Sequence, residues 1–476
     1  MSNITTNAET VLMDSLVTCE NSEGVEIHAR LVRLGRYDVA FEIDSAATLV
    51  RMSEVLTSFR VVVRDRPIYS GRAVVKSLVN AGSILVCQAD LDDSWLEVDL
   101  FRQILEPQQL RGSFETLVGS WGKTYRILPE YKLAVADIQS FLFDLRHWTE
   151  QIELGLASLP KSGQQETVQQ VVQELIQPVT PCLNTLFEKF ELAAANISED
   201  RKAAHAVYAK RQLHPLVMSS PFMHRIFRKP LGYPGDYEMV NMILRNPIEG
   251  SSVFAKVLNA WFLSQGPAEA HRNRIKYLTR RFIEESASAR ARNGGLKIFN
   301  LGCGPAREVA NFMAESELSH SAEFTLLDFN DETLTYTNGA LSKARAQHSR
   351  RTKIEFQKKS VAQVLKASRR APDSRYDVIY CAGLFDYLSD RICKQLMNSF
   401  HDMLAPGGLL VATNVDVFNP IKSIMGYIFE WHLIYRDAQQ MAALAPDGAA
   451  PDDCKVSADM TGSNIFLEVR KPRPNP

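Results

Sequence analysis

The sequence contains no apolar run approaching the ~18 residues that cross a bilayer, and its opening, MSNITTNAETVLMDSLV, has neither the basic nor the apolar region of a secretory leader. No transmembrane segment and no export signal are expected. Charge of one sign is also missing, since 54 Lys and Arg face 55 Asp and Glu for a formal net charge of -1. Without a basic excess there is no overall pull toward phosphate backbones, so nucleic acid is not expected as a partner. Cysteine is sparse: the seven, Cys19, Cys87, Cys182, Cys303, Cys381, Cys393 and Cys454, are odd in number and include no CxxC. That excludes a disulfide framework and a zinc site, so no metal is expected, and reduced thiols suit a cytoplasmic location. Long polar tracts are lacking, with 45% hydrophobic and 23% charged residues, so the chain is expected to fold throughout. At 476 residues it exceeds what one core supports, and two or three domains are expected.

What is present divides into three stretches. Residues 1–105 carry alternating β-branched and aromatic segments, among them VEIHARLVRL, YDVAFEI, FRVVVRD and SILVCQADL, separated by turns such as Asn21-Ser22-Glu23-Gly24. The alternation predicts a small antiparallel all-β barrel or sandwich. RLVRLGRYDVAFEI and the later GRAVVKS resemble the layout of a PilZ-type barrel. PilZ domains that bind cyclic di-GMP use an RxxxR arm and a D/NxSxxG strand, and the latter has no counterpart after Phe41-Glu42-Ile43. Arg30, Arg33 and Arg36 therefore read as solvated strand residues, and the barrel as a docking or dimerisation module.

Residues 106–286 switch to a 3.6-residue period, as in KLAVADIQSFLFDLRHWTEQI and CLNTLFEKFELAAANI, which predicts helices. Leu159-Pro160-Lys161-Ser162-Gly163 and Gln177-Pro178-Val179-Thr180-Pro181 are expected to punctuate them, because proline lacks the backbone donor.

In residues 287–476 short apolar runs (KIFNLG, EFTLLDF, KIEFQ, YDVIYCA, GLLVATNV) alternate with helical patterns, which predicts a mostly parallel α/β sheet binding ligands at its carboxyl edge. CKVSADM and NIFLEVRK are joined only by Thr461-Gly462-Ser463, too short for a parallel crossover, so the last strand should be antiparallel.

The chemistry concentrates at Asn300-Leu301-Gly302-Cys303-Gly304-Pro305, a strand running into a glycine turn and a helix beginning near Arg307. Glycines there let a ligand lie against bare backbone. Asp328, flanked by Phe329 and Asn330, ends the next strand, where a carboxylate accepts both hydroxyls of a ribose. Val309 stands where dinucleotide-binding proteins want a small residue, which argues against NAD. The motif resembles the first motif of class I S-adenosylmethionine-dependent methyltransferases, with Asn300 in place of the usual acid and Ala306 in place of the third glycine.

That resemblance implies S-adenosylmethionine as cofactor and extends through the domain. It implies that Lys359, Ser360 and Val361 hold the adenine after the third strand, and that Cys381, Ala382 and Gly383 line the cofactor after the fourth. Leu404-Ala405-Pro406-Gly407-Gly408 matches the turn into the fifth strand. The loop Leu231-Gly232-Tyr233-Pro234-Gly235-Asp236-Tyr237, with His271-Arg272-Asn273-Arg274-Ile275, resembles a bacterial family of extracellular factor 3-hydroxypalmitic acid methyl ester methyltransferases. It implies that Tyr233, Asp236 and Tyr237 face the cofactor or substrate as catalytic residues of a lid.

After the fifth strand, Ile424, Ile428, Trp431 and Tyr435 recur at helical spacing. An apolar helix face there, with Arg436 or His432 at its edge and Tyr387 nearby, is expected to take an acyl chain bearing a carboxylate. The expected activity is O-methylation of a small hydrophobic carboxylic acid such as a hydroxy fatty acid. Two alternatives stay open: a small-molecule N- or O-methyltransferase acting on a polar acceptor, and a non-enzymatic, S-adenosylmethionine-binding regulator. A homo-oligomer or a docking partner through the barrel is also expected.

Overall fold

The computed structural model describes residues 15–35, 37–44, 50–63, 66–81, 84–92, 115, 126–158, 160, 163–245, 247–291, 295–367 and 375–473. They pack as two compact units, each discontinuous in sequence. The first draws on Met1–Pro234, Pro247–Phe262 and Pro420–His432, the second on Gly235–Asn246, Leu263–Asn419 and Leu433–Pro476. The three expected segments are thereby regrouped: barrel and most helices cluster together, while residues 263–286 join the α/β unit.

In the first unit, β1 (Ser15–Glu20), β2 (Glu26–Leu34), β3 (Asp38–Asp44), β4 (Val55–Val63), β5 (Arg66–Ala81) and β6 (Ile84–Leu91) close into a barrel in the order β1-β2-β3-β6-β5-β4. Alternation turns Val17, Cys19, Ile27, Ala29, Leu31, Phe41, Phe59 and Val61 inward. The long β5 reaches both β4 and β6, with register shifts that supply the curvature closure needs. Arg30 and Arg33 form surface pairs with Glu42 (3.4 Å) and Asp38 (2.8 Å), while Arg36 lies outside the described residues.

Helices α1 (Pro129–Ala157), α2 (Gln164–Ala195), α3 (Glu199–Val217) and α4 (Pro221–Arg228) follow in the same unit. α1 ends and α2 begins on either side of the first expected punctuation, of which Leu159, Lys161 and Ser162 lie outside the described residues. The second does not exist: α2 runs straight through Pro178 and Pro181. Both prolines lie on its exposed face, where the carbonyls they leave without a donor can meet water, while Val179, Leu183, Phe187 and Phe190 bury the other face.

The stretch expected to be one amphipathic helix after the fifth strand is a larger correction. Only residues 422–429 are helical, with a π-turn at Ile424–Ile428, and Pro420–His432 packs into the first unit. Glu191 accepts the N–H groups of Ser423 (2.9 Å) and Ile424 (2.8 Å), and Tyr427 meets the rings of Tyr131 and Phe190. Glu430, with φ at 51°, is buried among Lys210, Arg72 and Lys229.

The second unit holds α5 (Tyr237–Leu244) and most of the elements after α6 (Val253–Leu263): α7 (Gly266–Ala291), β7 (Lys297–Leu301), α8 (Arg307–Glu315), β8 (Glu323–Asp328), α9 (Asp331–Gln347), β9 (Lys353–Lys358), α10 (Val361–Ala367), β10 (Tyr376–Cys381), α11 (Asp390–Met403), β11 (Leu404–Val415), α12 (Ala438–Ala443), β12 (Cys454–Ala458) and β13 (Asn464–Arg470). Its seven-stranded sheet runs β12-β13-β11-β10-β7-β8-β9. β7 through β11 pair in parallel, and β13 is antiparallel to both neighbours, as the short hairpin link required. Strand order reverses between β7 and β10, so the crevice that receives ligands in such sheets opens at their carboxyl ends. One face of the sheet is sealed by α7 and α8, with Phe282 meeting the rings of Phe312, Phe324 and Tyr380.

Candidate active site

The turn after β7 is built for a ligand lying on bare backbone. Gly302 and Gly304 take φ of 76° and 50°, the left-handed region that glycine enters without strain. A Cβ at Gly304 would point into open space, with no atom within 4 Å. Ala306 adopts the same left-handed conformation (φ 45°) at the position of the missing third glycine. The turn is fixed from behind by the Gly302 and Cys303 N–H groups donating to Leu327 O (2.8 and 2.9 Å) and by Thr337 Oγ1 donating to Gly304 O (2.6 Å).

Asp328 closes β8 beside this turn. Its Oδ2 accepts the Gly304 N–H (3.2 Å) and its Oδ1 the Asn330 N–H (3.1 Å), so backbone orients both carboxylate oxygens. Asn330 in turn caps α9 by accepting the Thr333 N–H at 3.0 Å, and Phe329 is half-buried between them. Asn300 is buried; its amide donates to Tyr380 O at 3.0 Å, and its Oδ1 has no partner among the described residues. An orphaned acceptor beside an open glycine cradle suits a ligand carrying a donor such as an ammonium group.

After β9, Lys359 N–H donates to Asp328 O (3.0 Å) and Val361 is buried. Ser360 also caps a helix: its Oγ accepts Gln363 N–H (3.3 Å) and its own N–H donates to Gln363 Oε1 (2.9 Å), a reciprocal capping box opening α10. After β10, Cys381 is buried, Ala382 half-buried, and Gly383 (φ 90°) donates its N–H to Thr413 Oγ1 at 3.1 Å. Burial pushes the Cys303 and Cys381 thiols well above the ordinary thiol range, so neither is a thiolate nucleophile near neutrality.

Two residues to which the sequence reading assigned no role complete this edge. Asp386 accepts Val415 N–H at 2.7 Å, and burial raises its carboxyl to about 6 despite that bond and the nearby Arg274 and Arg436. Arg274, on α7, lays its guanidinium against Gly383: a Cβ there would lie 3.0 Å from Nη1 and 3.1 Å from Nη2. Its signals in the sequence were its place in the His271–Ile275 stretch and on the apolar stripe of α7 with Ala270, Leu278 and Phe282.

The expected lid residues fall on both sides of the division between the units. Tyr233 falls in the first unit and Asp236 and Tyr237 in the second. Asp236 is buried and caps α5 by accepting Met239 N–H at 2.8 Å. Tyr237 donates to Glu332 (2.9 Å) and stacks on Tyr336 at 4.6 Å. Gly235 approaches the hydroxyl of buried Tyr387 so closely that a Cβ would come within 2.6 Å of it.

Arg436 requires correction as a carboxylate binder. It is 1% exposed and donates to Phe385 O (2.9 Å), Leu388 O (2.7 Å), Asn414 Oδ1 and Asp390 Oδ1 (2.7 Å). A guanidinium so occupied ties the β10 loop to β11 and has no donors to offer an acid. Trp431 is buried and Tyr435 half-buried, and residues 430–435 are not helical, so the two do not share a helix face.

Residues 299–410 match the family described as Methyltransferase domain. No curated protein sequence matches the chain. Among solved structures, the chain is similar to a "possible exported protein" from Bordetella parapertussis (17% identity, 58% of this chain and 89% of that one, TM-score 0.41). It is also similar to magnesium protoporphyrin IX methyltransferase from Synechocystis with bound SAH (10% identity, 43% and 84%, TM-score 0.31). A third is N-methyltransferase NodS from Bradyrhizobium japonicum in complex with S-adenosyl-L-homocysteine (14% identity, 50% and 98%, TM-score 0.30). Sheet order, glycine turn, anchored Asp328 and family match together define a methyltransferase domain of the class I kind.

Proposed function

We propose that this chain transfers the methyl group of S-adenosylmethionine to a small hydrophobic carboxylic acid, forming a methyl ester of the hydroxy fatty acid type. The observation that carries the cofactor assignment is the open backbone at Gly304 beside a carboxylate held on both oxygens. When bound, S-adenosylmethionine supplies a sulfonium methyl whose in-line displacement forms one bond to the acceptor and releases neutral S-adenosylhomocysteine. The chain's part is alignment. Asp328 would accept the ribose hydroxyls, the bare backbone of the Gly302–Gly304 turn would hold the amino-acid arm, and Asn300 Oδ1 would accept from its ammonium. Protonated Cys303 and Cys381 leave no covalent relay, which suits direct transfer. An acid acceptor is already ionised near neutrality and needs no base. The barrel is assigned a docking or self-pairing role, and the cytoplasm remains the proposed location.

A second reading, methylation of a polar amine or hydroxyl, is favoured by Asp386, whose carboxyl at about 6 is suited to accept an acceptor's proton. Incubating the full chain with methyl-labelled S-adenosylmethionine and extracted bacterial metabolites separates the readings. Label in organic-extractable material that mild alkali releases as methanol is expected. Alkali-stable label would favour the amine or ether product, and cofactor binding without any transfer would favour a sensor.

A further inference from the structure

Arg274 is 8% exposed, yet among the described residues it donates no hydrogen bond and forms no ion pair. Buried arginines ordinarily have partners, because removing a charge from water without compensation is expensive. Asp386 and Glu308 act on it through space, but neither accepts a hydrogen bond from it among the described residues. Glu308, acting on it through space, accepts the Tyr380 hydroxyl at 2.7 Å, and burial raises its carboxyl above the usual range. Asp386 directs its carboxylate to Val415 N–H. His271, one turn earlier on α7, is kept neutral by burial and by Arg274 itself.

The guanidinium sits where a ligand can reach it. It lies on Gly383, whose neighbour Leu384 meets the Cβ direction of Gly302 at 3.5 Å, and β7 and β10 are adjacent strands. Arg274, Gly383 and Gly302 therefore line one carboxyl edge of the sheet, at the point where strand order reverses. An arginine fork matches a planar oxyanion with two parallel hydrogen bonds. Asp386, Glu308 and Asp328 around the crevice disfavour a doubly charged phosphate and tolerate a single carboxylate. The same location shows why the sequence looked to the wrong arginine: Arg436 follows the strand where acceptors enter, but its donors are taken.

We infer that Arg274 is the carboxylate-receiving residue of this crevice, binding either the amino-acid carboxylate of the cofactor or the carboxylate of the acceptor. The inference rests on reading the crevice as an S-adenosylmethionine site. Calorimetry on the full chain tests it with S-adenosylhomocysteine and its decarboxylated analogue, and with decanoate and methyl decanoate added to the protein loaded with S-adenosylhomocysteine. Wild type, R274Q and the charge-retaining R274K are compared. If the cofactor is the source, wild type prefers S-adenosylhomocysteine over the decarboxylated analogue by ~10-fold or more, R274Q binds the two alike, and R274K recovers part of the preference. If the acceptor is the source, R274Q keeps that cofactor preference but loses its preference for decanoate over methyl decanoate. In either case ligand-free R274Q melts no lower than wild type, because an unpaired buried charge has been removed. R274Q retaining every preference of wild type, or melting lower with all preferences intact, overturns the inference. Failure of wild type to bind either adenosyl ligand would instead sink the cofactor assignment.

Discussion

Asp328 shows how a single side chain can be read twice, once from its place after a strand and again from the bonds that aim it. Its carboxylate is fixed by Gly304 N–H and Asn330 N–H before any ligand arrives, so little reorganisation is needed to accept a ribose. Asp328→Ala is expected to weaken S-adenosylhomocysteine binding by about 2 kcal/mol, ~30-fold, by calorimetry, since hydrogen bonds to a charged group are worth ~1.5–3 kcal/mol. D328N, which keeps one acceptor oxygen, should lose less. Wild-type affinity in D328A would remove the ribose role. Gly302, Gly304, Asp328 and Asn330 were legible because turn, strand end and cap are set by neighbours in sequence. Arg274 and Asp386 were not, because a charge on an apolar helical stripe or in a loop becomes meaningful only when other elements fold around it.

Among the elements, the link from β11 to α12 departs furthest from expectation. Its apolar spacing describes a helix equally well, and the deciding contacts come from Glu191, Tyr131 and Lys210, remote in sequence. At its far end Arg436 bonds two carbonyls, Asn414 and Asp390. Arg436→Met leaves the Phe385 and Leu388 carbonyls and the buried Asn414 Oδ1 without their donor and is expected to lower the unfolding free energy by about 3–5 kcal/mol in urea titration. R436K, which supplies charge without the planar fork, should recover part of it. An unchanged urea midpoint in R436M with loss of acid binding would restore the ligand role that the spacing suggested. α2 teaches the same lesson in reverse: two prolines that mark breaks locally are carried by a helix whose other face is held by Phe187 and Phe190.

Over the whole molecule, the chain enters the first unit again at Pro420–His432 after most of the parallel sheet is made, and buries charge there. Burial alone would raise the Glu430 carboxyl, but Lys210, Lys229 and Arg72 hold it below its ordinary value. Lys229 responds oppositely: burial, offset in part by Glu430, lowers its amine to about 7. Between about pH 7 and its ordinary value near 10.5, the unfolded chain binds a proton at Lys229 that the folded chain does not. Stability from this group therefore rises with pH across that window, at up to about 1.4 kcal/mol per pH unit. The stability difference between wild type and Lys229→Met should accordingly shift in favour of wild type from pH 7 to 8.5 in urea titrations. Taking the difference cancels the buried thiols, which act with the opposite sign in both proteins. A pH-independent difference would show that Lys229 stays charged in the fold.

The sequence by itself determined the elements and the cofactor turn: the alternation that makes a barrel, the strand-helix alternation that makes a parallel sheet, the hairpin link that reverses the last strand, and the glycine-then-acid order of a nucleoside crevice. Each is a short-range constraint, fixed by side-chain period, steric freedom or linker length. Only the tertiary structure decided which arginine has its donors taken and which, among the described residues, donates no hydrogen bond, that Pro420–His432 belongs with the barrel and helices, and that Ser360 and Asp236 are caps. Those outcomes depend on desolvation and hydrogen-bond supply from residues far away in the chain, which no local pattern records.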